Sequence, residues 1–252
     1  MGLDFFDVNA CVGLPQNGSQ FEPFADGPAL LQHMDGAGIN RALVWHIAQF
    51  DDSPVVGNRL LAEAIAGCER LTGCWTLLPP QTKEIVTPDL FGRMKTARIR
   101  SLRVCPSAHR YLLNRITFGS FLDEVAHRRI PVFLSLQYGM DWPGVYRLLE
   151  QYPALTCILS DLGSWSQDRY TFPLLENFDR VFIETSMLSI EDGGVEGVVA
   201  KYGAERLLFG TGLPARYAES AMLQLTHAEI SEVDRQAIAC GNLERLLGEV
   251  TL

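Results

Sequence analysis

Eight apolar segments alternate with amphipathic stretches along this chain of 252 residues. The apolar segments are rich in Val, Ile, Leu and Phe, and they cover residues 4–12, 41–47, 71–78, 101–105, 131–137, 155–160, 181–185 and 206–210. The helical stretches between them cover residues 28–37, 54–68, 88–97, 118–128, 142–151, 170–177, 195–202 and 218 onward. Repeated strand–helix units are typical of a parallel sheet covered by helices. Eight of them predict an α/β fold, a (β/α)8 TIM barrel, as a single domain over residues 1–252.

Composition excludes several classes of partner. The formal net charge is −9, and there is no run of Lys or Arg that could follow a phosphate backbone or an anionic membrane. No apolar run approaches the roughly 20 residues that span a bilayer, and no basic segment precedes the first strand. We therefore expect a cytoplasmic protein that binds neither nucleic acid nor membrane. The six cysteines form no CxxC pair, which predicts reduced, buried thiols.

The predicted barrel places the chemistry at the carboxyl ends of its strands. Alternate residues of a strand point to the same side, so the residues that line the mouth can be read from the sequence. Of the five histidines, only His46 and His109 follow strands closely enough to reach it. The predicted lining consists of Asn9, Cys11, Arg103, Cys105, Ser135, Gln137, Asp161 and Glu184, with Tyr138, His109 and Trp165 near the rim.

Five segments, in order along the chain, carry a resemblance to a known family. Residues 6–13 (FDVNACVG) are similar to a first-strand motif that contains Asp-x-His-x-His, and residues 130–135 (IPVFLS) to Pro-Val-x-x-His. Residues 152–163 (YPALTCILSDLG) are similar to a sixth-strand segment that ends in His-x-Gly. Residues 206–214 (RLLFGTGLP) and 241–247 (GNLERLL) are similar to Phe-Gly-Ser-Asp-x-Pro and Gly-Asn-x-x-Arg-Leu-Leu. The chain thus resembles the amidohydrolase-2 branch of the amidohydrolase superfamily, metal-dependent TIM-barrel hydrolases and decarboxylases.

The resemblance also shows which metal ligands the chain has replaced. The ligand positions of that family correspond to Asn9, Cys11, Ser135, Asp161 and Gly212, and none keeps its expected residue. Asn and Ser are weak neutral donors and Gly offers none, whereas zinc needs several imidazole, thiolate or carboxylate donors. The lost eighth-strand aspartate is also the family's general base. The resemblance therefore implies that the usual metal-water mechanism is absent. No cofactor is expected, with residual zinc binding left open.

Three interpretations of the lining stay open. In the first, Cys11, Cys105 and Asp161 form a rebuilt metal site with His46 or His109, although buried cysteines also simply fill space. In the second, Arg103 and Asp161 face each other and anchor a small polar or carboxylate ligand, or merely form an internal ion pair.

In the third interpretation, Cys11 is a nucleophile, which requires a lowered thiol pKa. The leading hypothesis is a pseudoenzyme or metal-independent binder of a small polar or carboxylate ligand. The alternatives are an active hydrolase or decarboxylase-type lyase that uses Asp161 and Cys11, and a non-catalytic subunit of a homologous enzyme. Homo-oligomer formation is left open.

Overall fold

The eight predicted strands form one parallel sheet. The computed structural model describes residues 2–162, 167–190 and 193–252. Its strands are β1 (Phe6–Val12), β2 (Arg41–His46), β3 (Leu71–Thr76), β4 (Ile99–Val104), β5 (Val132–Ser135), β6 (Cys157–Ser160), β7 (Val181–Glu184) and β8 (Leu207–Leu208). They pair in the order of the sequence. The predicted TIM barrel is confirmed, with most strands shorter than the apolar segments that contain them.

Helices follow the strands around the outside of the sheet. They are α1 (Gly27–Ala37), α2 (Ala48–Asp51), α3 (Pro54–Ala64), α4 (Leu90–Thr96), α5 (Arg115–Phe118), α6 (Phe121–His127), α7 (Trp142–Gln151), α8 (Asp168–Asn177), α9 (Gly194–Tyr202), α10 (Ala218–His227), α11 (Glu232–Gln236) and α12 (Asn242–Gly248). The carboxylates of Asp26 and Asp141 cap α1 and α7 by accepting from backbone amides. Proline opens the first turn of both helices. No helix in the described ranges combines the length and the apolar character of a membrane span.

Backbone hydrogen bonds close the barrel between β1 and residues 207–213, which contain β8 and are called the β8 segment below. The amide of Val8 donates to the carbonyl oxygen of Phe209 at 2.9 Å, and the amide of Cys11 donates to that of Leu213 at 2.9 Å. The pairing of β1 with β2 shifts register between Asp7 and Ala10. This irregularity is a local bulge, which changes the side of the strand to which side chains point.

The bulge in β1 decides which of its side chains enter the barrel. Val8, within the shifted segment, packs inside the barrel, and Cys11, three positions further on and after the shift, does so as well. Ala10 packs instead in the layer between sheet and helices. Strict alternation from Val8 would turn Cys11 outward. The bulge therefore lets both Asn9 and Cys11 reach the mouth, above an apolar barrel core.

Gly57 marks the closest approach of two helices, and it gives a stability prediction. A Cβ at this position would lie 2.3 Å from the amide nitrogen of Gln49 and 2.5 Å from its Cα, so backbone would have to move. We expect Gly57→Ala to lower the free energy of unfolding by about 2 kcal/mol. Gly92, in α4, has no atom within 4 Å of such a Cβ, so Gly92→Ala should raise it by about 0.5 to 1 kcal/mol. Thermal unfolding of both variants checks this, and equal melting temperatures would contradict it.

Candidate functional site at the barrel mouth

A cavity of about 170 Å³ opens at the carboxyl ends of the strands. Residues from the long loop after β1 line part of it. The described residues that line the cavity are Asn9, Cys11, Gly13, Pro15, Gly18, Ser19, Pro23, Trp45, Ile47, Gln137, Tyr138, Asp161, Gly212, Leu213, Pro214, Ala215 and Arg216. The mouth is thus a small pocket with aromatic, amide, carboxylate and guanidinium groups in its wall.

Asp161 is the centre of a polar network in the wall of this cavity. Its side chain is 3% exposed, and both of its oxygens are engaged. The Ser135 hydroxyl donates to Oδ2 at 2.6 Å, and Nη1 of Arg216 donates to Oδ1 at 3.0 Å. The same Nη1 lies 3.4 Å from the Ser186 hydroxyl, and Nη2 lies 3.4 Å from Oε1 of Gln137. A hydroxyl and a guanidinium therefore hold the Asp161 carboxylate in one orientation.

The predicted pairing of Arg103 with Asp161 is wrong. Arg103 is buried and donates from Nη2 to Oδ1 of Asn9 at 2.9 Å. Its guanidinium carbon lies 4.4 Å from the centre of the Trp45 ring and 5.0 Å from that of Phe133. Cation–π contact and one amide therefore compensate this charge. The partner of Asp161 is Arg216, from the loop after β8, which strand alternation cannot indicate.

Five of the residues predicted at or near the mouth do not line this cavity. The interior of a TIM barrel is filled by layers of side chains, and only the top layer reaches the mouth. Asn9 separates the pocket from the arginine below it, and Asp161 separates it from the serine of β5. The five residues that the cavity does not reach are Arg103, Cys105, Ser135, Glu184 and His109.

Glu184 is a buried carboxyl beneath the mouth. Oε2 accepts from the Ser186 hydroxyl at 2.9 Å, and Oε1 accepts from the Ser186 amide. Burial and, after it, the negative charge of Asp161 raise the pKa of Glu184 to about 7, although the hydrogen bonds from Ser186 and the charge of Arg216 oppose the rise. A Cβ on Gly210 would lie 2.1 Å from Oε1, so the glycine at 210 leaves the space that this carboxyl occupies.

The buried thiols near Arg103 are not activated. Burial raises the pKa of the Cys11 thiol, and the positive charge of Arg103 lowers it only in part. The hydrogen bond of Cys11 goes to the carbonyl oxygen of Val12 at 3.5 Å. The pKa of Cys105 is raised to about 12 for the same reason. A nucleophilic thiol needs a lowered pKa, so the geometry does not support the nucleophile interpretation of Cys11.

Neither candidate histidine enters the cavity. His46 packs against Gly13, where an added Cβ would lie 2.4 Å from Cε1 of the imidazole. Nδ1 of His46 accepts from the amide of Ala48 at 3.1 Å, and burial lowers the pKa of the ring, so it is a neutral acceptor. Burial also lowers the pKa of His109. Trp165, the remaining predicted rim residue, lies outside the described residues.

Reasoning from the sequence missed Arg216 and Trp45. Trp45 lies inside the barrel at the cavity and packs edge-on against Tyr138, with ring centres 4.9 Å apart. Trp45 lies near the end of β2, one residue before His46, so strand alternation applied to β2 could have predicted that its side chain points into the barrel. Arg216 follows the Leu213–Pro214 turn, and only the path of that loop brings it back over Asp161. A loop residue of this kind leaves no periodic signal in the sequence.

Neither a protein-family model nor a curated protein matches the chain. Among solved structures, an uncharacterized TIM-barrel protein from Bordetella bronchiseptica gives a TM-score of 0.75 at 18% identity, over 98% of this chain and 99% of that one. A probable 2-pyrone-4,6-dicarboxylic acid hydrolase from Acinetobacter baumannii, with citric acid bound, gives 0.73 at 15%, over 98% and 100%. A dihydroxybenzoic acid decarboxylase from a Polaromonas species, with manganese and 2-nitroresorcinol bound, gives 0.71 at 17%, over 98% and 97%. The fold and the site together define the class of protein: this chain is a TIM barrel with a polar pocket at the mouth of the barrel.

The residues at this mouth do not fit a divalent cation of the kind bound in the decarboxylase. Asp161 is the anionic oxygen donor in the cavity wall, and both of its oxygens are engaged. Oδ1 of Asn9 accepts from Arg103, burial keeps the Cys11 thiol protonated, and Gly212 has no donor. In the described part of the chain, no three His, Cys, Asp or Glu side chains come together as a metal site. The rebuilt site of cysteines, aspartate and histidine is therefore not assembled there.

Proposed function

We propose that the barrel mouth binds a small carboxylate-bearing ligand without a metal ion. In this proposal the chain descends from amidohydrolase-2 proteins and has lost their metal-water hydrolysis. The observation that carries it is the guanidinium of Arg216 in the wall of a cavity of about 170 Å³. Nη1 of Arg216 is committed to Asp161, whereas the contact of Nη2 among the described residues is with Gln137, at 3.4 Å. A guanidinium with a weakly engaged edge is a carboxylate anchor.

The charge balance at the mouth supports an anionic ligand. Two guanidinium groups, those of Arg103 and Arg216, lie in or directly behind the wall, against the carboxylate of Asp161. Burial favours the uncharged form of Glu184 beneath them. Arg216 thus brings a positive charge into the cavity wall of a chain whose formal net charge is −9. A small anion gains from this local field, while the rest of the surface repels it.

The size and the walls of the cavity support a ligand of about one ring. An apolar cavity of about 150 Å³ holds a benzene molecule. Trp45 and Tyr138 offer aromatic surface on one side, and Asn9 and Gln137 offer amide groups. The hydrolase and the decarboxylase of the same fold are named for carboxylic acids, and one of them holds citric acid. These names agree with a carboxylate ligand here.

Benzoate and its neutral analogue benzamide test the proposal. In calorimetric titrations with a chelator present, benzoate should bind at least about tenfold tighter than benzamide, because only benzoate carries the charge. The variant Arg216→Gln should weaken benzoate binding by about tenfold or more, since it removes the anchor. Arg59→Gln is the matched control, because Arg59 is an exposed arginine on α3, paired with Glu63 and remote from the mouth.

Two results would contradict the proposal. One is equal binding of benzoate and benzamide by the wild type, which would show that the charge is not recognised. The other is unchanged benzoate binding in Arg216→Gln, which would place the anion elsewhere. Binding that requires added manganese would contradict the metal-independent part alone.

A second candidate function is an active decarboxylase-type lyase or a hydrolase. Asp161 favours it, because this carboxylate lies in the cavity wall in a fixed orientation, where a group that moves a proton is placed. Release of carbon dioxide from a panel of hydroxybenzoates, with and without manganese, tests this candidate. Turnover that Asp161→Asn abolishes would favour the enzyme over the binder.

A further inference from the structure

A guanidinium occupies the place where the replaced ligand positions meet. Four of those positions, Asn9, Cys11, Asp161 and Gly212, line one cavity. Within it, Nη1 of Arg216 lies 3.0 Å from Oδ1 of Asp161. The cavity into which a metal-dependent barrel with this arrangement would direct its ligands therefore already holds a cation that belongs to the chain.

Gly212 is what makes room for this cation. A Cβ at residue 212 would lie 2.3 Å from Nη1 of Arg216 and 3.4 Å from its Cδ and Cζ. A side chain at residue 212 would therefore require Nη1 of Arg216 to move. The glycine at 212 and the arginine at 216 thus belong together. Glycine stands where the family resemblance implies an aspartate, and the guanidinium of Arg216 occupies the space that the missing side chain leaves.

We propose that Arg216 is a built-in cation that replaces the metal ion at this mouth and excludes divalent metal from it. The guanidinium pairs with the buried Asp161 carboxylate and also faces Ser186 and Gln137, so it neutralises the charge that a metal ion would otherwise balance. A divalent ion bound to Asp161 would lie within a few ångströms of this permanent charge and would be repelled by it.

The replacement retains one role of a metal ion and gives up the others. Arg216 supplies a fixed positive charge that holds Asp161 and can orient an anion. It offers no empty coordination position, so it cannot activate a water molecule as a bound metal does. This inference concerns cation exclusion and does not depend on the carboxylate binding proposed above.

Manganese titration of the chelator-treated protein, followed by electron paramagnetic resonance of the free ion, tests the inference. The wild type should show no site of one ion per chain. Arg216→Gln should bind manganese at least about tenfold tighter than the wild type, because Asp161 is released and the repulsion is gone. Adding Gly212→Asp to Arg216→Ala should bring binding to about one ion per chain, since a second carboxylate then faces the first.

Variants that keep a positive charge at residue 216 provide the matched controls. Arg216→Lys should bind manganese as weakly as the wild type, and so should Arg59→Gln, which changes an exposed arginine. Gly212→Asp alone should gain no site, because its carboxylate pairs with Arg216. Circular dichroism establishes that each variant is folded.

The inference would be overturned by a site of one manganese per chain in the wild type or in Gly212→Asp, where Arg216 is still present. It would also be overturned by equal manganese affinity of the wild type and a folded Arg216→Gln. The manganese titration of the wild type does not require that any variant lacking the Arg216 charge folds. Failure of benzoate binding would leave all of these results unchanged, so the two proposals can fail separately.

Discussion

Replacing Asp7 with alanine is expected to lower the free energy of unfolding by about 4 kcal/mol, the largest effect of the substitutions considered. Asp7 is fully buried where β1 meets the β8 segment. Oδ1 accepts from the amides of Asn9 at 2.9 Å and Thr211 at 3.0 Å, and Oδ2 accepts from the Thr211 hydroxyl. Alanine would leave all three donors buried without a partner, and each such group costs about 1 to 3 kcal/mol.

Urea unfolding, followed by circular dichroism, measures this effect. Asp7→Asn keeps one carbonyl oxygen as an acceptor, so its loss of stability should be smaller than that of Asp7→Ala. Asp52→Ala, at an exposed residue, should change the free energy of unfolding by less than about 0.5 kcal/mol. A free energy of unfolding for Asp7→Ala within about 1 kcal/mol of the wild-type value would show that the Asp7 carboxylate does not stabilise the contact between β1 and the β8 segment.

Replacing Glu184 with glutamine is expected to make the protein less sensitive to rising pH. The pKa of Glu184 is about 7 in the folded protein, above its ordinary value of 4.5, because burial disfavours the charged form. The folded state therefore binds this proton more tightly than the unfolded state. The stability that the protonated carboxyl contributes is complete below about pH 4.5 and is lost as the pH rises through about 7.

Glutamine stays uncharged at every pH, so Glu184→Gln should become more stable relative to the wild type between about pH 5 and pH 8, by about 2 kcal/mol. Urea unfolding of both proteins at each pH measures the difference, and their comparison cancels the titration of the other groups. Glu150→Gln, at an exposed glutamate, is the matched control and should show no such trend. A difference between wild type and Glu184→Gln that stays constant with pH would show that Glu184 does not ionise in this range.

The barrel itself could be predicted because its signals are local and repeated. Each apolar segment, five to nine residues long, predicts a strand, and each amphipathic stretch predicts a helix, so eight such pairs in succession are compatible with few folds. All eight predicted strands are present. The loop after β1 also lies over the mouth as expected, since connections at the carboxyl ends of strands must do so.

The site was predicted only in part, because two kinds of information are missing from strand alternation. Alternation gives the side of a strand but not the layer, so Asn9, Cys11 and Asp161 reach the cavity while Arg103 and Glu184 lie beneath it. The direction of Asn9 and Cys11 also depends on the bulge in β1, which alternation does not include.

The sequence by itself determined the eightfold barrel and the end at which its pocket opens, since both follow from patterns of neighbouring residues. Only the tertiary structure decided that Arg216 and not Arg103 is the partner of Asp161. The physical reason is that an ion pair depends on the distance between charges in space. The two members of this pair are 55 residues apart, and they meet at the mouth because the residue after β6 and the loop after β8 come together there. Sequence periodicity cannot predict a contact between two such distant loop residues.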